Sequence, residues 1–172
     1  MNVDTLKRLG TFFIFLLAQV LVLGRIHLYG VVSPLLYIYF VLQFPHKYPK
    51  WAILLWSFAM GLAIDVFQNT PGVAAASLTL IGAIQPYYYE LFISHDSMEG
   101  QKPSVKTMGM LKFAYYATPL VLLFCLVFFT LDQFSFSNMP YKLLCIVSST
   151  AVILALILTF ELAKKNKQER VI

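Results

Sequence analysis

Apolar residues fall along this chain in long blocks separated by short polar gaps. A helix needs about 20 mostly apolar residues to cross the hydrocarbon of a bilayer. Six blocks read as spans, at roughly 11–23, 26–44, 51–67, 72–92, 113–131 and 141–162, the first of them short. The first follows Lys7 and Arg8, as a secretory leader would, but ends in Val20-Leu21-Val22-Leu23-Gly24-Arg25 without a small-x-small cleavage pattern, so it reads as an uncleaved span. The second is broken near its start by Ser33-Pro34 and stopped by Pro45. Trp51 and Trp56 anchor the third, and Tyr87, Tyr88 and Tyr89 close the fourth, as aromatic residues do at membrane interfaces. The pattern predicts an all-α integral membrane protein, one six-span domain over residues 1–172 with a short basic tail at 163–172.

The basic residues supply an orientation. Of 13 Lys and Arg residues, 11 fall in alternate gaps: Lys7, Arg8, Lys47, Lys50, Lys102, Lys106, Lys112, Lys164, Lys165, Lys167 and Arg170. Arg25 and Lys142 alone occupy the intervening loops. This asymmetry predicts six spans with both termini cytoplasmic. It also explains the net charge of +5 as topology signals rather than a nucleic-acid-binding face.

Composition narrows the function classes. The chain is 59% hydrophobic and 12% charged, against about 25% charged in ordinary soluble domains. A soluble enzyme or nucleic-acid binder is excluded on that ground, because a small domain cannot hide so much apolar surface. The one sizeable loop, about 94–112, falls on the cytoplasmic side, and no soluble catalytic domain fits between the spans. Cys125 and Cys145 lie in separate apolar blocks and read as small buried hydrophobes. No CxxC or HExxH spacing occurs, so no metal site or cofactor is indicated. No internal repeat relates the second and third blocks to the fifth and sixth.

Asp65 stands out, since an acid inside a span is costly and the C-terminal end of a helix disfavours negative charge. It needs a partner: an amide at the start of the next helix, Thr70 or Asn69, or Arg25. The expected role is to cap the Asn69-Thr70-Pro71-Gly72 turn and set the angle between two helices. Gly61, Ala59 and Ala63 before the turn, and Gly72, Ala74, Ala75 and Ala76 after it, are small enough to let helices approach closely. Gly61, Asp65, Asn69, Pro71, Gly72 and Ala76 are therefore the candidates for helix docking or partner contact. Pro86 is expected to kink the fourth span, and Tyr37, Tyr39, Tyr115 and Tyr116 to join the interfacial tyrosines. His27, His46 and His95 read as interfacial, and Asp132 and Glu161 as solvated charges. The basic tail suits anionic lipid, and Lys106–Lys112 reads as a short amphipathic segment on the inner leaflet.

Taken together, the length, the six short blocks, the basic tail and the segment GLAIDVFQNTPG followed by VAAAS (61–77) resemble the bacterial rod shape-determining MreD family. The positions carrying the resemblance are Gly61, Asp65, Pro71 and Gly72. It implies a non-enzymatic, multi-pass protein of the bacterial inner membrane, part of the elongation machinery. The implied partners are a membrane-anchored MreC-like protein, MreB filaments through the complex, a SEDS glycosyltransferase and a class B penicillin-binding transpeptidase. The process implied is lateral peptidoglycan synthesis and control of cell shape. MreD-like chains are in turn similar to the substrate-binding subunits of energy-coupling-factor vitamin transporters, whose fold is the expected one. That similarity supplies an alternative function, with Gln43, Gln85 and Tyr37 as candidate lining residues. Those subunits often carry Ala-x-x-x-Ala in the first span; here that span has only Ala18, and the matching pair, Ala59 and Ala63, lies in the third. A membrane enzyme acting on lipid-linked precursors would need a second acid or base beside Asp65, and none is indicated.

Overall fold

The computed structural model describes residues 3–22, 34–45, 48–92, 102–132 and 139–169. Arg25, His27, His46, Lys47, His95 and the first part of the second apolar block lie outside them. Every regular element among the described residues is helical. Helix α1 (Val3–Leu17) continues into a π-helical turn, Ala18–Val22; α2 is Ile38–Leu42, α3 Lys50–Gln68, α4 Val73–Glu90, α5 Val105–Met108, α6 Met110–Asp132 and α7 Met139–Glu169. Among the described residues three segments are long and apolar enough to cross a membrane: α3, α6 and Leu143–Lys164 of α7. Helix α4 has 18 residues, but its last turns carry Gln85, Pro86, three tyrosines and Glu90, which dilute its apolar character.

The second block departs from expectation. Within residues 34–45 only the five residues of α2 are helical, and Pro45 lacks the amide hydrogen that a continuation of α2 would need. Short as it is, α2 is the centre of the packing, with Ile38 to Leu42 all buried. Phe40 meets Phe12 of α1 and Trp56 of α3 edge-on or tilted, at centroid distances of 5.9 and 6.3 Å. Tyr37 stands edge-on to Phe124 of α6 at 5.6 Å, and Tyr39 to Phe15 of α1 and Phe160 of α7 at 5.6 and 5.9 Å. Such contacts matter more in lipid than in water, since apolar burial alone does not draw helices together there. Gln19, buried in the π-helical turn, fixes the approach to α2 by accepting the Leu36 amide at 3.2 Å.

Local chemistry explains the helix boundaries. Pro49 precedes α3, and its carbonyl accepts the amides of Ala52 and Ile53 at 2.9 and 3.2 Å. Ser104 and Thr107 form a reciprocal capping box on α5, which ends at Gly109 with φ +83°. Helix α4 runs unbroken through Pro86 to Glu90.

Candidate functional site at the α3–α4 turn

Helices α3 and α4 form an antiparallel hairpin joined by the four residues 69–72. Asn69 takes up the left-handed conformation, φ 57° and ψ 38°, and returns its amide to the Asp65 carbonyl. The Thr70 amide reaches the same carbonyl at 3.2 Å. Asparagine tolerates this conformation better than most residues, which makes it an effective helix stop. Gly72 follows with φ +83°, and the chain re-enters a helix at Val73.

Asp65 closes this turn. It is only 4% exposed, and three donors hold its carboxylate. The Thr70 hydroxyl and the Ala74 amide donate to Oδ1, each at 2.9 Å, and the Ala75 amide donates to Oδ2 at 2.9 Å. The first-turn amides of a helix have no intrahelical acceptor, so Asp65 works as an N-cap for α4 supplied from α3. The macrodipole conflict is relieved by the same arrangement: the carboxylate ends its own helix but faces the positive end of the next. The predicted cap is thus found, its acceptor bonds drawn from backbone amides and Thr70.

Gly61 sets the spacing of the hairpin. A Cβ built there would stand 2.6 Å from the Ala74 carbonyl oxygen and the Ala75 nitrogen, so the α3 backbone lies directly on the first turn of α4. Further along, Gly82 of α4 faces Ser57, whose hydroxyl would be 2.5 Å from an added Cβ and itself donates to the Ile53 carbonyl at 2.7 Å. Gly72 differs from expectation. Nothing lies within 4 Å of its virtual Cβ; its glycine is required by the positive φ, not by close helix approach. Asn69, Pro71, Gly72 and Ala76 are exposed at the tip and outer face of the hairpin, while Gly61 and Asp65 lie inside it.

The far end of the bundle holds a second carboxylate. Glu161 is 3% exposed, not solvated as its place beside the basic tail predicts. Its Oε1 accepts the Tyr39 hydroxyl, its Oε2 accepts the Val105 amide at 3.0 Å, and Lys164 lies 3.9 Å away. Glu161 thereby ties α2, α5 and α7 together. A usable signal was present: the acid sits between Phe160 and Leu162 in a still-apolar helix, as costly a position as that of Asp65.

Tyr37, Tyr39 and Tyr116 are also buried rather than interfacial. Tyr116 donates to the Leu42 carbonyl at 3.2 Å and receives the Gln85 side-chain amide at 2.9 Å, whereas Tyr115 and Tyr87 are exposed. Gln85 thus sits beside Tyr116, while Tyr37 packs on Phe124, eight residues further along α6. The two do not converge on one site. Asp132, at the end of α6, is exposed, and Cys125 and Cys145 are buried free thiols. No family model, curated protein or solved structure matches this chain.

Proposed function

We propose that this chain is a non-enzymatic, MreD-like adaptor of the bacterial inner membrane. In this reading it crosses the membrane six times with both termini cytoplasmic. It docks an MreC-like membrane protein and, through the complex, MreB and the SEDS and class B penicillin-binding synthases of the lateral wall. The observation that carries the reading is the coherence of the hairpin. Gly61 and Asp65, two of the positions on which the resemblance rests, lock the helices, and Pro71 and Gly72 shape the exposed turn between them. A small rigid hairpin with an exposed tip suits a protein whose task is to hold others in register, because docking costs less when the docking surface is already ordered. The 11-to-2 division of basic residues supports the topology.

A mild-detergent pull-down of the tagged protein from native membranes, read by mass spectrometry, tests this reading. Co-purification of an MreC-like protein with wall synthases is the expected result, reduced by replacing exposed Pro71 or Ala76 with bulky residues. Recovery of a transport ATPase pair instead would overturn the adaptor and establish the vitamin-transport alternative.

A further inference from the structure

Among the described residues two prolines lie inside continuous helices, Pro86 in α4 and Pro119 in α6. Each removes the amide that would have bonded the carbonyl four residues earlier. Pro86 is buried within the bundle, but Pro119 is exposed on the outward face of α6. The carbonyl it deprives belongs to Tyr115, which is 71% exposed. In a membrane helix a freed carbonyl is normally satisfied by a neighbouring helix, a Ser or Thr side chain, or water. Thr118 is next to the gap and exposed, yet its hydroxyl donates to the Ala114 carbonyl at 2.8 Å, an acceptor the helix already supplies with the Thr118 amide. Pro119 is the tenth residue of α6, about 14 Å along a helix rising about 1.5 Å per residue, which places it inside hydrocarbon about 30 Å thick. Lipid chains carry no donor.

We infer that this face of α6 binds a second copy of the chain, the Thr118 hydroxyl of each copy turning to the Tyr115 carbonyl of the other. A two-fold axis along the membrane normal puts identical residues at identical depth. A face with an acceptor at Tyr115 that Pro119 deprives of its helical donor, and a redundant donor at Thr118 one turn away, is then complementary to itself. Leu111, Leu122 and Leu126 extend the same exposed face on either side, giving the apolar flanks that such a crossing packs. The inference needs only that α6 crosses the bilayer, and it stands apart from the adaptor reading.

The test is Förster transfer between donor- and acceptor-labelled full-length protein in phosphatidylcholine–phosphatidylglycerol vesicles, over a range of protein-to-lipid ratios. Saturable, concentration-dependent transfer is expected. Thr118→Val removes two interhelical hydrogen bonds per dimer and should weaken association roughly five- to tenfold. Pro119→Ala returns an amide to the Tyr115 carbonyl; it should weaken association comparably while leaving the melting temperature of the monomer in detergent equal or higher. In native membranes Leu122→Cys should form a disulfide-linked dimer, and exposed Leu143→Cys on α7 should not. No concentration-dependent transfer, or wild-type association in both variants, would overturn the inference. So would cross-linking of Leu122→Cys solely to a different protein, which would give the face to another helix.

Discussion

Asp65 and Glu161 are both buried acids with three partners, at opposite ends of one bundle, and they are built in opposite ways. The donors to Asp65 come from 5, 9 and 10 residues away, all within one hairpin. Glu161 takes its lysine from the next helical turn, but its two hydrogen-bond donors lie 56 and 122 residues distant. The first acid shapes a local turn, and its partners are in place as soon as the hairpin forms. The second staples three elements that only the finished bundle brings together. A buried acid in a membrane protein can therefore serve the secondary structure or the tertiary structure, and the sequence distance to its donors distinguishes the two.

The largest effect should come from Asp65→Ala. It strands two buried α4 amides away from water and frees the half-buried Thr70 hydroxyl, and each unmet buried group costs about 1–3 kcal/mol. A loss of about 3 kcal/mol or more is expected in detergent unfolding, with membrane insertion intact. A change below about 1 kcal/mol would mean that the cap is dispensable. Gly61→Ala attacks the same hairpin by sterics alone and should cost about 1–3 kcal/mol, since backbone rather than a flexible side chain fills the space. Hydrogen exchange should quicken throughout α3 and α4; faster exchange confined to α5 and α7 would contradict the local character of this end.

Glu161→Gln is the matching test at the far end. One oxygen survives as an acceptor and the other is replaced by a donor, so about 1–2 kcal/mol should be lost. Exchange should rise around Ser104–Met108 and leave the α3–α4 turn protected; the reverse pattern would erase the distinction between the two acids. Thr70→Val removes one of three donors at a half-buried position and should cost about 0.5–1.5 kcal/mol. The smallest expected quantity is the coupling between Asp65→Ala and Glu161→Gln. Sites with no shared partner add to within about 0.5 kcal/mol, so a larger coupling would show that the two ends communicate through the core.

This comparison also explains what could be read in advance. The role of Asp65 followed from its cost and from the turn residues beside it, because its donors are its sequence neighbours. Tyr37 and Tyr39 read as interfacial since nothing local reveals that the short helix α2 lies at the centre of the bundle. Gly72 was recognisable as special, but for the wrong reason: a small residue at a turn meets either a steric or a conformational need, and only coordinates separate them. Ser57 against Gly82, a contact 25 residues apart across the hairpin, carries no pattern of its own.

By itself, then, the sequence determined the apolar helices, the turn between α3 and α4, the asymmetry of basic residues and the acid that caps the turn. All of these depend on transfer energies and on interactions within about a dozen residues. Only the tertiary structure decided that α2 is the packing centre, that Glu161 is buried and that Pro119 lies on the outward face of α6. Those properties depend on which faces of distant helices meet, and within a bilayer apolarity does not specify that, because lipid satisfies an apolar face as well as a neighbouring helix does.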